Sequence, residues 1–162
     1  MVFPEFCAEP DNENNFYAEH VHLLLDSYQR FSGRTLLNSQ PTHKTTISEQ
    51  VFYADFALVS HNTAHDPIFN YANHTALMLF EFPWQEFINL PSRLSAEPVN
   101  HTERERLLAK VSEKGFIEHY QGLRVAKTGK RFKIINATIW NVYNSDNEYY
   151  GQAACFSDWF FV

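Results

Sequence analysis

Phe16, Tyr17, His20, Val21, Leu24, Leu25, Tyr28 and Phe31 recur at helical spacing, with Glu19, His22, Asp26, Gln29 and Arg30 opposite them. The pattern predicts an amphipathic helix over residues 15–32, stopped by Gly33. Residues 1–14 are acidic, carry prolines and lack periodicity, so they read as a mobile arm. After a loop over 36–44, Thr46 and Glu49 have capping-box spacing and predict a short helix to about Ala54. Phe56–Ser60 is apolar enough for a central strand, and Ile68–Tyr71 reads as another beyond a polar turn over 61–67.

The stretch 66–98 organises the rest. Asn73 stands where its side-chain oxygen can accept from the first turn of a helix over His74–Phe80. Pro83 and Pro91 forbid a continuous helix, leaving 84–90 and 92–95 as separate short turns. A strand feeding several clipped helices wraps a concavity. Thr102 and Glu105 then form a second capping box, for a helix whose only apolar stripe is Leu107, Leu108 and Val111 and which Gly115 ends. Residues 116–126, 131–143 and 149–156 are long runs rich in β-branched and aromatic side chains, with turn chemistry at Thr128-Gly129 and Ser145–Asn147. Antiparallel hairpins follow. Apolar residues occupy both phases of 131–143, as a sheet covered on both faces would require. The expectation is an α+β fold of five antiparallel strands with flanking short helices, one domain over 15–162.

Composition sharpens this picture. With 15 Phe, 8 Tyr and 3 Trp, the chain has material for a thick core or an aromatic pocket, since each such ring buries roughly 150–250 Å². A net charge of −6 opposes nucleic-acid binding, which rests on clustered cations neutralising phosphates. Cys7 and Cys155 are too few for a disulfide framework or a zinc site and fit a reducing cytosol. The N-terminus lacks a basic region, and no run approaches about 18 apolar residues. A cytoplasmic protein without membrane anchor or export signal is expected.

SHNTAHDPIFNYANHTALMLFEF, LPSRLSAEP, GKRFKIINATIWNVYN and GQAACFSDW together resemble the MEKHLA domain, a PAS-related module, over roughly Phe16 to Trp159. In plants this domain closes class III homeodomain-leucine zipper transcription factors, and in bacteria it stands alone; neither homeodomain nor zipper is present here. The resemblance implies a sensory or protein-interaction module in signalling, binding a small ligand, a partner protein, or both. With no output segment after Val162, its signal is expected to pass through association.

Candidate chemistry is sparse. His61, His65 and Asp66 have ligand-like spacing only on a helix and fall in a turn. His101 sits at a helix cap rather than on an inner face, which speaks against a haem ligand, and Leu90–Pro98 lacks the cysteine of a light-oxygen-voltage photocycle, leaving noncovalent flavin open. Cys155 reads as a small core residue. Arg93 reads either as an anchor for an anionic ligand or as a cap on helix-end carbonyls. Arg124, Lys127, Lys130, Arg131 and Lys133 read as a solvated hairpin tip. The concavity is expected to bind a small apolar or aromatic ligand between Met78, Arg93, Leu94, Leu108, Tyr120 and Trp140.

No phosphate loop, paired-cysteine motif or nucleophile elbow marks an enzyme. The alternative reading is a small enzyme on a cone-shaped α+β fold using a cavity carboxylate as general base, for which Glu81 is the candidate. Surplus apolar surface at both chain ends predicts a homodimer or a regulatory partner, with Phe16, Leu24, Tyr28, Trp159, Phe160 and Phe161 at the interface. The N-terminal helix covers either its own sheet or a second copy.

Overall fold

The computed structural model describes residues 8–38, 44–97 and 101–162, without the side chains of His101 and Arg104. Helix α1 (Ala18–Ser32) is followed by α2 (Ile47–Phe52), strands β1 (Ala57–His61) and β2 (Phe69–Ala72), and helices α3 (His74–Phe80) and α4 (Trp84–Phe87). A 3₁₀ turn (Ser92–Ser95) precedes α5 (His101–Lys114), and β3 (Phe116–Val125), β4 (Arg131–Tyr143), β5 (Tyr149–Phe156) and β6 (Asp158–Phe161) complete the chain. The antiparallel sheet has the order β2-β1-β5-β4-β3, with β6 also on β4.

The two phases of β4 have a physical cause. Asn136 on β4 and His119 on β3 both take left-handed backbone and face each other, His119 Nδ1 lying 2.6 Å from Asn136 Oδ1. Each strand carries an extra residue there, so the register slips and then recovers. Phe132 and Ile134 point inward before the bulge, Ala137, Ile139 and Asn141 after it, while Trp140 and Val142 turn to the outer face. Both faces of the strand are covered.

Helix α1 lies on that outer face. Trp140 donates its indole N–H to the Leu24 carbonyl at 3.0 Å and meets Tyr28 edge-on at 4.9 Å. His20 is clamped between Tyr150 Oη at 3.0 Å and Ser60 Oγ at 2.9 Å. Phe16, Leu24 and Tyr28 are therefore buried within their own chain, which corrects their assignment to an interface between chains. The helix begins at Ala18 rather than at residue 15, because Asn15–Tyr17 form a left-handed turn that tucks Phe16 against Phe52 and stacks Tyr17 on Trp84. Residues 8–14 also depart from a free arm: Asp11 Oδ1 accepts from the Glu13 and Asn14 amides, and Pro10 is buried.

The capping readings divide. Thr46 Oγ1 accepts from the Glu49 amide at 3.2 Å, as expected. Helix α5, however, already includes His101, so Thr102 is an interior residue and not its cap. The chain end differs more: β5 does not close the sheet. Thr138 pairs with Cys155 and Ile135 with Asp158, three residues further on along each strand, so β6 prolongs the same ladder past Ser157.

Candidate functional site

The inner face of the sheet meets α3, the 3₁₀ turn and α5 around a cavity of about 70 Å³. Its volume comes from small residues at inward positions. Ala137 and Ala154 are in the floor, Ser92 and Ser95 in the wall, and Leu107 and Leu108 of α5 face them. Cavities of about 150 Å³ accept benzene, so this one suits a molecule of only a few heavy atoms.

Two polar groups in the lining stand out, one an acceptor without a donor and the other a cation without a carboxylate beside it among the described residues. Asn141 commits its Nδ2 to the Val111 carbonyl at 3.0 Å, so its Oδ1 must accept, and Gln152 supplies Nε2 to it at 3.0 Å. That orientation leaves Gln152 Oε1 buried in the lining with no hydrogen-bond partner among the described residues. Leaving a buried acceptor unmatched costs about 1–3 kcal/mol.

The second group is Arg124. Tyr120, Gly122 and Arg124 share the inner face, and the guanidinium folds back over the glycine. Nη1 donates to the Leu123 carbonyl at 2.8 Å and Nη2 to Tyr120 Oη at 3.0 Å, with the cation 5.5 Å from the Tyr120 ring centre. A Cβ on Gly122 would stand 2.3 Å from Tyr120 Oη and 2.9 Å from Arg124 Nη1, so the glycine makes room for this pair. Arg124 is only 9% exposed, yet no described carboxylate forms an ion pair with it. Its hairpin neighbours are matched: Lys127 with Glu86 at 2.7 Å, Lys130 with Glu81 at 3.9 Å, and Arg131 with Glu97.

Of the six residues expected at the ligand site, the structure brings Leu108 and Tyr120 to the cavity. Met78 and Leu94 are exposed on the surface, and Trp140 lies under α1 on the opposite face because of the β4 bulge. Arg93 makes a surface ion pair with Asp66, Nε lying 3.1 and 3.2 Å from its two carboxylate oxygens, so it is no anchor within the cavity. Sequence reading missed Gln152 and placed Arg124 in a solvated tip. One signal was present: Tyr120, Gly122 and Arg124 alternate, which puts a cation and a phenol on one strand face with a gap between them.

The remaining candidates lie elsewhere. Glu81 ends α3 in left-handed backbone, takes a hydrogen bond from Thr128 Oγ1 and pairs with Lys130, outside the cavity. No group of three His, Cys, Asp or Glu able to hold a metal occurs among the described residues. Burial pushes the Cys155 thiol up to about 12, leaving it protonated and inert near neutrality. The side chain of His101 falls outside the described residues.

Solved structures with this architecture include the PAS domain of a Colwellia psychrerythraea protein, with a TM-score of 0.58, 15% identity, and coverage of 67% of this chain and 89% of that one. The photo-excited blue-light photoreceptor Vivid aligns with a TM-score of 0.56 and 14% identity, over 84% of this chain and 92% of its own. A light-oxygen-voltage domain studied through a flavin analogue gives 0.53 and 17%, over 65% and 76%. At such identities the likeness shows the fold, which is that of a PAS domain. The MEKHLA domain model matches residues 18–161, and the chain belongs to that family. No curated protein matches the sequence.

The cavity does not fit the noncovalent flavin that the sequence left open. A three-ring isoalloxazine exceeds benzene, and benzene already needs about twice the volume present.

Proposed function

We propose that this chain is a sensory PAS-type module whose ligand site is the cavity between α5 and the inner face of the sheet. The observation that carries the reading is the buried, unmatched Oε1 of Gln152 in the wall of a cavity built from small residues. Such an acceptor is expensive without a donor, and a bound molecule supplies one directly or through a water held with it. Ligand occupancy would act on α5, which contributes Leu107 and Leu108 and packs on β3 and β4. Native mass spectrometry of the intact chain tests this. The account expects a retained small molecule, lost on denaturation and absent from an Ala137→Leu variant whose added side chain fills the cavity. The same mass pattern in both proteins would refute it.

Output is assigned to association with a second copy or with a partner protein. Phe160 and Phe161 on β6 are 46% and 54% exposed and lie beside exposed Val162, an apolar edge that Lys130 and Phe132 cover only in part at Phe161. Phe160→Ser should lower the association measured by light scattering at micromolar concentration. A protein that is monomeric with and without the substitution, and whose partner binding is unchanged, would contradict this assignment.

A further inference from the structure

We infer that the cavity's ligand is a small monocarboxylate held by Arg124 and Tyr120. The inference rests on the cavity being a ligand site and adds the chemical class. An arginine keeps its charge in every protein environment, and a buried cation needs an anion or a full set of acceptors. Arg124 has two acceptors, the Leu123 carbonyl and Tyr120 Oη, for a five-donor fork. The carboxylates around its hairpin are committed to Lys127, Lys130 and Arg131, and the sequence between Glu97 and His101 adds none.

The guanidinium geometry matches a carboxylate, whose two oxygens accept two parallel N–H bonds. Ser92, Ser95 and Gln152 are polar members of the lining, and beside them Phe80, Ile134 and Phe156 present apolar surface. Inorganic phosphate would press charged oxygens against these side chains, whereas a short hydrocarbon body would cover them. Volume sets the length: about 70 Å³ admits a body of roughly two to four carbons. Gly122 belongs to the site, since any side chain there displaces the guanidinium and the phenol.

Propionate, propionamide and inorganic phosphate, titrated into the full chain by calorimetry and thermal shift, provide the test. Propionate should bind saturably, with propionamide and phosphate at least about tenfold weaker, the scale of losing a charge-assisted bidentate contact. Arg124→Met should weaken propionate binding by the same factor or more while raising the ligand-free melting temperature by about 2–4 °C, because an unpaired buried charge is removed. Gly122→Ala should also weaken binding, because the added methyl displaces the Tyr120 ring and the end of Arg124. Equal binding of propionate and propionamide overturns the carboxylate assignment yet leaves the cavity a ligand site. Preference for phosphate overturns it in favour of an inorganic oxyanion. A lower melting temperature in Arg124→Met, with propionate affinity unchanged, shows the arginine to be structural and overturns the assignment. Failure of all three probes, together with no retained molecule in native mass spectrometry, removes the ligand reading as well.

Discussion

Asn73 shows how much one side chain can organise. Its Oδ1 accepts from Ala76 N, capping α3, and also from Leu58 N on β1 at 3.0 Å. Its Nδ2 donates to the Val51 carbonyl at 3.1 Å and to the Phe56 carbonyl at 2.8 Å. The residue is fully buried and joins α2, β1 and α3. Loss of a cap alone costs about 0.5–2 kcal/mol. Asn73→Ala should cost about 3–5 kcal/mol, because buried backbone groups lose their partners as well. A denaturation midpoint lowered by no more than a cap's worth would contradict that. His20 gives a pH signature. Burial lowers its pKa from 6.5 to about 3, so the fold favours neutral imidazole and the unfolded chain binds the extra proton. This contribution is complete above about pH 6.5 and falls away as the pH drops towards 3. His20→Gln should flatten stability against pH by close to one proton across that window in chemical denaturation; parallel curves would exclude His20 as the source.

Among elements, periodicity reported those whose facing never changes. Helix α1 keeps Val21, Leu24 and Tyr28 inward along its whole length, and α3 is bounded by its asparagine cap and by Pro83, so both were legible. Strand facing was less so. His119 and Asn136 break alternation through backbone conformation, which no hydrophobic pattern announces, and this sent Trp140 to the face opposite the one expected. Gln152 and Arg124 were hidden for a different reason, since an inward polar residue reads as a solvated one until facing is known. Trp159, Phe160 and Phe161 were expected at an interface beyond the last strand, yet the ladder continues in register through them as β6. Trp159 lies edge-on to Phe156 at 6.0 Å and pairs with Ile134. Deleting Trp159–Val162 should therefore lower stability by about 2–4 kcal/mol through lost ladder bonds and exposed core. Unchanged stability would mean that β6 contributes only surface.

At the scale of the molecule, the sheet is sealed on one side and left open on the other. The outer face closes under α1 with buried, hydrogen-bonded polar groups, and the inner face keeps a cavity with an unmatched acceptor and an unpaired cation. None of the described helices is long and apolar enough to cross a membrane. Sensing by this account needs the cavity to be occupied and α5 to register the occupant. Methyl-resolved NMR of the intact chain under titration with propionate reads both at once. The account predicts saturable shifts of the Leu107, Leu108, Ile134 and Ala154 methyl groups, absent in the Ala137→Leu variant, while Val21 and Leu24 under α1 stay still. Methyl groups around the cavity that do not move at millimolar propionate or with a pool of other small molecules, or that move equally in the filled variant, would contradict it.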